Sequence, residues 1–283
     1  MPSGIKLFKV FSILGETLIA SLTIFEQIMK ELLTRILHEF HGISLEELSR
    51  APLMNRTDEK FAFHLVELPE ILQLMKPYYD VLNIDGKVIF DYASQYFDDE
   101  DFRFFHDHHR SLPHRYKVRI RTYVDTNASF LEVKEKIKGR TDKKRISTKG
   151  FTDEFNAEEQ DFLEKRLKQK VNLKPVMVNS YRRITLVNKT SEERLTIDFD
   201  VTNGTLLDPL KSQQTLSTIV IAELKQPRLN RNSPFYQLMK NRRIHPFRIS
   251  KFCFGMMDLY DQVVLKSNRF KAKKLFIKKL TTK

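Results

Sequence analysis

In the stretch Lys117-Val118-Arg119-Ile120-Arg121-Thr122-Tyr123, three cations recur at every second position. Valine, isoleucine, threonine and tyrosine favour a strand. A strand puts Lys117, Arg119 and Arg121 on one face and Val118 and Ile120 on the other. Three cations along one strand face repel one another unless an anion sits over them. The chemistry this suits is the gripping of phosphate, in which arginine forks bind oxygens bidentately and lysine supplies a point charge.

The pattern recurs along the chain. Lys60, Lys134, Lys136, Lys143, Arg145, Arg183, Arg194, Lys225 and Lys251 all fall in predicted strands, most of them alternating with apolar residues. Asp58, Glu132, Asp198, Asp200 and Glu223 share these faces. A flat sheet would show the charged faces to water. A closed barrel would turn them inward and pack helices outside. A barrel interior crowded with cations is untenable without an anion, because each close pair costs several kcal/mol at an effective dielectric constant of about 20. A polyanion such as triphosphate removes that cost. The few carboxylates then suit a divalent cation, since Mg²⁺ or Mn²⁺ prefers oxygen ligands and bridges phosphate groups.

The elements that must position these residues read as follows. Apolar residues from Ile24 to Phe40 keep a helical period, and Ser44 with Glu47 forms a capping box for a short second helix. Leu68 to Leu82 reads as a helix broken near Pro77, and Lys87 to Phe97 as a strand. Phe102 to His114 is polar and rich in histidine. His106, His108, His109 and His114 have no cysteine or close carboxylate set to complete a zinc site except Asp107, and the run reads as a solvated loop. Asn156 to Lys168 is a charged amphipathic helix. Arg194 to Asp200 alternates most cleanly, with Arg194, Thr196, Asp198 and Asp200 on one face. Asn203-Gly204 marks a turn, and Phe235 to Arg242 a short helix. The connections are hairpin-length turns or single helices, which predicts one α+β domain of antiparallel order.

With 283 residues, 41% of them hydrophobic, the chain is globular. A net charge of +13 implies an anionic partner. Cys253 is the single cysteine, which excludes an internal disulfide and a cysteine-rich zinc site. It is expected to be packed and inert beside Phe252 and Phe254. No segment is long and apolar enough to span a bilayer. Val10 to Leu22 contains Glu16 and lacks a clear small-residue cleavage site. Residues 1–28 are read as an N-terminal extension or a mis-assigned start, and 29–283 as one domain. The strand cations alternate with valine, isoleucine and leucine, not with exposed aromatics. This argues against a nucleic-acid-binding module.

Taken in order, Arg56-x-Asp58-x-Lys60-Phe61, Tyr96-Phe97-Asp98, Lys117-x-Arg119-x-Arg121, Glu132-x-Lys134, Lys143-x-Arg145, Tyr181-x-Arg183, Arg194-x-Thr196-x-Asp198, Glu223-x-Lys225 and Ser250-Lys251-Phe252 resemble the VTC domain. That is the polyphosphate polymerase domain of the vacuolar transporter chaperone complex, related to the CYTH proteins among the triphosphate tunnel metalloenzymes. The resemblance covers roughly Leu45 to the C-terminus. It implies a closed antiparallel β-barrel tunnel flanked by helices, and synthesis of polyphosphate from ATP with release of ADP. By the same resemblance Lys60, Arg119, Arg121, Lys134, Lys143, Arg183, Arg194 and Lys251 would be catalytic phosphate ligands. Lys117, Lys136, Arg145 and Lys225 would add substrate contacts, and Glu223 would hold Mn²⁺ or Mg²⁺. Position 56 is arginine where CYTH triphosphatases begin an ExExK pattern, which favours a polymerase over a triphosphatase or a non-catalytic polyphosphate-binding subunit. The expected partners are ATP and polyphosphate, with no nucleic acid. A cytoplasmic monomer or weak oligomer is expected, any membrane contact coming through a separate protein. The basic stretch Lys266 to Lys283 reads as a solvated helix end or an electrostatic guide for the product.

Overall fold

The structure, a computed structural model, describes residues 24–49, 56–138, 140–205, 213–261 and 264–281. The Val10–Leu22 stretch lies outside the described residues. The elements in chain order are α1 (24–37), β1 (Gly42–Ile43), α2 (Leu45–Ser49), β2 (Thr57–His64), α3 (Leu68–Met75), β3 (Tyr79–Leu82), β4 (Phe90–Asp98) and α4 (Arg103–His109). They continue with β5 (His114–Tyr123), β6 (Ala128–Ile137), β7 (Arg140–Thr148), α5 (Ala157–Leu167), β8 (Lys174–Asn188), β9 (Arg194–Gly204), β10 (Gln213–Leu216), β11 (Ile219–Gln226), α6 (Pro234–Asn241), α7 (Lys251–Leu259) and α8 (Lys271–Thr281).

One sheet runs through the molecule in the order β2-β11-β9-β8-β4-β5-β6-β7, every neighbouring pair on this path antiparallel. It curls so that Lys134 of β6 feels the charges of Lys60 on β2 and Glu223 on β11. Among the described residues β2 and β7 do not pair, so the sheet is an open half-barrel and not the closed barrel expected. The free edge of β2 is met by the segment before α7 instead: Phe247 N–H donates to Lys60 O at 2.6 Å.

The convex face carries two apolar cores. In one, Leu33 and Leu37 of α1, Leu68 and Ile71 of α3 and Phe235 of α6 cover Phe61, Phe63, Leu195 and Ile197. In the other, Leu163 and Leu167 of α5 cover Val118, Ile120, Leu131 and Val133. Burial of these alternate residues turns Lys117, Arg119, Arg121, Glu132 and Lys134 to the concave side, as the alternation predicts.

A third core occupies one end of the concave side. Helix α7 enters it with Phe252, Cys253, Phe254 and Met256 buried against Tyr96, Met177, Tyr181 and Ile221. Cys253 is buried and free. Three expectations are corrected. Lys251 opens a helix and does not lie in a strand: Ser250 Oγ caps α7 by accepting Cys253 N–H at 3.3 Å. The histidine-rich run holds a helix, α4, because the Asp98 carboxylate accepts the N–H groups of Phe104 and Phe105 at 2.8 and 2.9 Å. Tyr79 to Leu82 is a strand, antiparallel to β8. The capping box at Ser44 and Glu47 is present, and Asn156 with Glu159 forms a second one at the start of α5.

Candidate phosphate-binding groove

The concave face is organised around three carboxylates, Glu132 and Asp198 buried and Glu223 half-buried, each of which joins two cations from different elements. On β6, Glu132 accepts Arg119 Nε and Nη2 of β5 at 2.9 and 2.8 Å and pairs with Lys143 of β7. On β9, Asp198 takes the Arg183 fork of β8 at 2.6 and 2.8 Å and pairs with Lys251 of α7. On β11, Glu223 pairs with Lys60 of β2, and with Lys225 at 2.7 Å. Each trio keeps one surplus positive charge. The carboxylates fix their cations from behind and leave donors for an anion in front.

The electrostatics follow. Burial alone would raise Glu132, but Arg119, Arg121 and Lys143 hold its carboxyl down to about 2. Burial likewise works against Asp198 and Glu223, yet Arg183 with Lys251, and Lys225 with Lys60, keep both well below the ordinary carboxylate range. Lys60 stays above its usual value despite its loss of hydration, because Glu223 adjoins it.

Lys117, Lys134 and Arg121 make no ion pair with a carboxylate among the described residues, and the first two adjoin Lys143 of the Glu132 trio. Lys117 lies opposite Lys134 across β5 and β6, and Lys134 lies opposite Lys143 across β6 and β7. Three lysines thus form one rung. Lys134 opens to the water of the groove but is walled by protein, and loss of hydration pushes its ammonium down to about 7. The same cause takes Lys143 and Lys225 to about 8 despite their carboxylates, and lowers Lys117. Lys117 donates to Ser250 Oγ at 2.8 Å. Arg121 is 9% exposed and its Nε has no hydrogen-bond partner.

The structure therefore gathers Lys60, Lys117, Arg119, Arg121, Lys134, Lys143, Arg183, Lys225 and Lys251 along one concave surface. Arg145 lies on the same strand face, with its guanidinium 4.2 Å from the centre of the Phe130 ring. Lys136 sits one rung beyond Lys134, opposite Arg115. Arg194 stands at the rim, where it donates to Leu48 O at 2.7 Å. Asp200 is displaced. Its positive φ of 53° accompanies a register shift between β8 and β9, and it pairs with Arg182 at 3.2 Å, away from Asp198.

Tyrosines supply what the charge pattern alone does not show. Tyr96 OH accepts Arg119 Nη1 at 3.1 Å. Tyr92 and Tyr181 stack at 5.4 Å, with Arg183 over both rings and Lys251 4.4 Å from the centre of Tyr181. The signal was an aromatic residue two positions before a cation in a strand, as in Tyr181-x-Arg183. His108 is structural: its Nδ1 accepts Arg115 Nε at 3.0 Å, and burial, Lys117 and Arg115 keep it neutral.

No group of three metal-ligating side chains occurs among the described residues. Both Glu223 oxygens face ammonium groups. Mg²⁺ is commonly held by one or two carboxylates together with water and phosphate oxygens, so Glu223 would become a ligand only where an arriving anion draws Lys60 or Lys225 off its oxygens.

A sequence comparison with curated proteins finds no match. Solved structures similar to the chain include a conserved hypothetical protein from Pyrococcus furiosus, at 11% identity and a TM-score of 0.38, over 70% of this chain and 99% of that one. A Bacillus halodurans protein described as a candidate adenylate cyclase matches at 14% identity and 0.42, over 70% and 96%. A candidate adenylyl cyclase from Hippeastrum, described as having a dominant triphosphatase activity, matches at 12% and 0.41, over 71% and 95%. The family model of the VTC domain matches residues 55–260, which takes in the whole groove from Lys60 to Lys251, and the chain belongs to that family.

Proposed function

We propose that the protein is a metal-dependent polyphosphate polymerase that moves the γ-phosphoryl group of ATP onto a growing polyphosphate chain held in the groove. The observation that carries this reading is the Lys117–Lys134–Lys143 rung, flanked by the three cation–carboxylate trios. A surface so charged is served by a chain of phosphates, and membership of the VTC family agrees with it.

Phosphoryl transfer needs positioning and charge neutralisation more than a covalent nucleophile. Arg119 and Arg183 are pre-oriented by Glu132 and Asp198, so their forks lose little freedom on meeting phosphate oxygens. Lys117 and Lys134 supply point charge between them, and Lys251 and Lys60 face the same space. Glu223 would hold the divalent ion, which when bound neutralises charge on the phosphates. Lys60 and Lys225 are the residues that keep Glu223 ionised for that role. No helix among the described residues is long and apolar enough to cross a membrane.

The test is incubation of the purified protein with ATP and Mn²⁺ or Mg²⁺, followed by separation of products on a gel stained for polyphosphate. A ladder with ADP release is the expected result. Free phosphate without a ladder would replace the polymerase by a tunnel triphosphatase. Neither product, with tight polyphosphate binding, would leave a binding subunit.

A further inference from the structure

Helix α8 is rich in lysine and carries no acid. From Gln262 to Lys283 the sequence holds no aspartate or glutamate at all. Lys271, Lys273 and Lys274 fall in the first turn of α8, where the helix dipole disfavours positive charge. Lys274 stands four residues before Lys278, a spacing at which like charges repel. The lysines thus work against the helix that bears them, and an anionic surface alongside would relieve them. The inner side of α8 is nevertheless well fixed. Ile277 and Leu280 pack into the third core, Lys274 donates to Met257 O at 3.3 Å, and the Phe276 ring packs on Phe247 with centroids 4.4 Å apart.

The outer side of α8 is apolar in its middle. Leu275 is 50% exposed. Lys271 and Lys279 lie about one turn to either side of it, and all three share one exposed face with Ala272. Phe276, 37% exposed, borders this face on one flank and Lys278 on the other. Because Ile277 and Leu280 anchor the helix from beneath, it lies flat along the protein with this face turned outward.

We propose that the outer face of α8 seats the protein on an anionic lipid bilayer, with Leu275 and Ala272 entering the headgroup layer and Lys271, Lys278 and Lys279 meeting lipid phosphates. A basic helix held flat, with an apolar strip facing out, suits the plane of a membrane interface. Lysine stems lie along apolar neighbours while their ammonium groups stay among the headgroups. Each such lysine adds an attraction that weakens as salt rises. A nucleic-acid strand or a bare phosphate chain could use the same lysines, but either would leave Leu275 in water. A bilayer covers it. None of these residues belongs to the groove, and the inference stands whether or not the groove makes polyphosphate. Contact with a membrane is then made by this chain itself, in place of the separate protein expected from the sequence.

The experiment is co-sedimentation with vesicles of phosphatidylglycerol and phosphatidylcholine in equal parts, set beside vesicles of phosphatidylcholine alone. Wild type should bind the anionic vesicles, less tightly as salt rises, and not the neutral ones. The double variant Lys271→Gln, Leu275→Ser should bind them about tenfold or more weakly, the size of one surface lysine and one partly inserted leucine. Both side chains are exposed, so its unfolding midpoint should equal that of wild type. A second variant decides the matter should that midpoint fall. The chain has no tryptophan, so Leu275→Trp places a single reporter on this face, and its emission should move to the blue on anionic vesicles only. Triphosphate added at constant ionic strength should leave vesicle binding in place. Release by triphosphate would assign the lipid contact to the groove and overturn the proposal. Unchanged vesicle binding by the double variant, wild-type binding to neither kind of vesicle or equally to both, or an unmoved tryptophan would overturn it as well.

Discussion

Lys117 and Lys134 stand directly opposite each other on β5 and β6. Like charges so placed destabilise a sheet by roughly 0.2–1 kcal/mol. The pair is therefore tolerated in the empty groove and useful in the filled one. Lys134→Met keeps the aliphatic stem and removes the charge. The unfolding midpoint of the unliganded variant should be no lower than that of wild type. Its triphosphate affinity should fall by about 1.5–3 kcal/mol, the range of a charge-assisted hydrogen bond. Thermal unfolding with and without triphosphate measures both. A variant that loses stability without losing affinity would place Lys134 outside the ligand's reach.

The same lysines make binding depend on pH. Partial loss of hydration between the groove walls holds Lys134 at about 7 and Lys143 and Lys225 at about 8. A polyanion binds the protonated forms and raises these values. Depressed lysines are charged below their folded values and neutral above them, so affinity should fall as pH rises through about 7 to 8. Binding at pH 8 should take up protons. Calorimetric titrations in buffers of different ionisation enthalpy read the proton count directly, and a count of zero at pH 8 would contradict the depressed lysines.

How far this was legible in the sequence varies with range. The alternation in Lys117–Tyr123 and Glu132–Lys136 was enough to place the cations, because Val118, Ile120, Leu131 and Val133 all seek one apolar core. The Ser44–Glu47 capping box is local and was legible in the same way, whereas the Asn156–Glu159 box was found only in the structure. Lys251 was misassigned because the residues after it, Phe252, Cys253 and Phe254, are all buried, which erases any period. The Ser250 cap was the missed signal. Asp200 was misplaced because a register shift is set by the partner strand. Helix α4 depends on Asp98, which reaches its N–H groups from β4. Whether β2 meets β7 depends on contacts between distant parts of the chain, and strand pattern says nothing about that.

Glu223 should separate turnover from binding. Glu223→Gln preserves shape but leaves Lys60 and Lys225 without their carboxylate. Metal-dependent turnover should be lost while phosphate affinity is kept or raised, because two ammonium groups are freed for the ligand. Breaking a largely buried ion pair also destabilises, here by about 1–3 kcal/mol, below the range for fully buried pairs because Glu223 retains some exposure. Triphosphate should restore part of that stability. Steady-state rates at several metal concentrations, set beside equilibrium binding, make the comparison. Unchanged activity would remove Glu223 from the mechanism.

Gly255 tests whether the seating of α7 shapes the groove. It lies inside α7 and is buried. A methyl group there would fall 2.3 Å from Met177 Cε and 2.8 Å from Asn203 Oδ1. The methionine end can move, but Asn203 is 1% exposed on β9 and has little room. Gly255→Ala should therefore destabilise by about 1–3 kcal/mol, the usual result of overpacking, despite alanine's better helix propensity. The strain would push α7 outward and draw Lys251 from Asp198 and Ser250 from Lys117. Triphosphate affinity should fall together with stability, although Gly255 itself bears no charge. Chemical denaturation and triphosphate titration of one preparation provide the check. Lost stability at full affinity would show that the Lys251–Asp198 and Ser250–Lys117 contacts survive a displacement of the helix behind them.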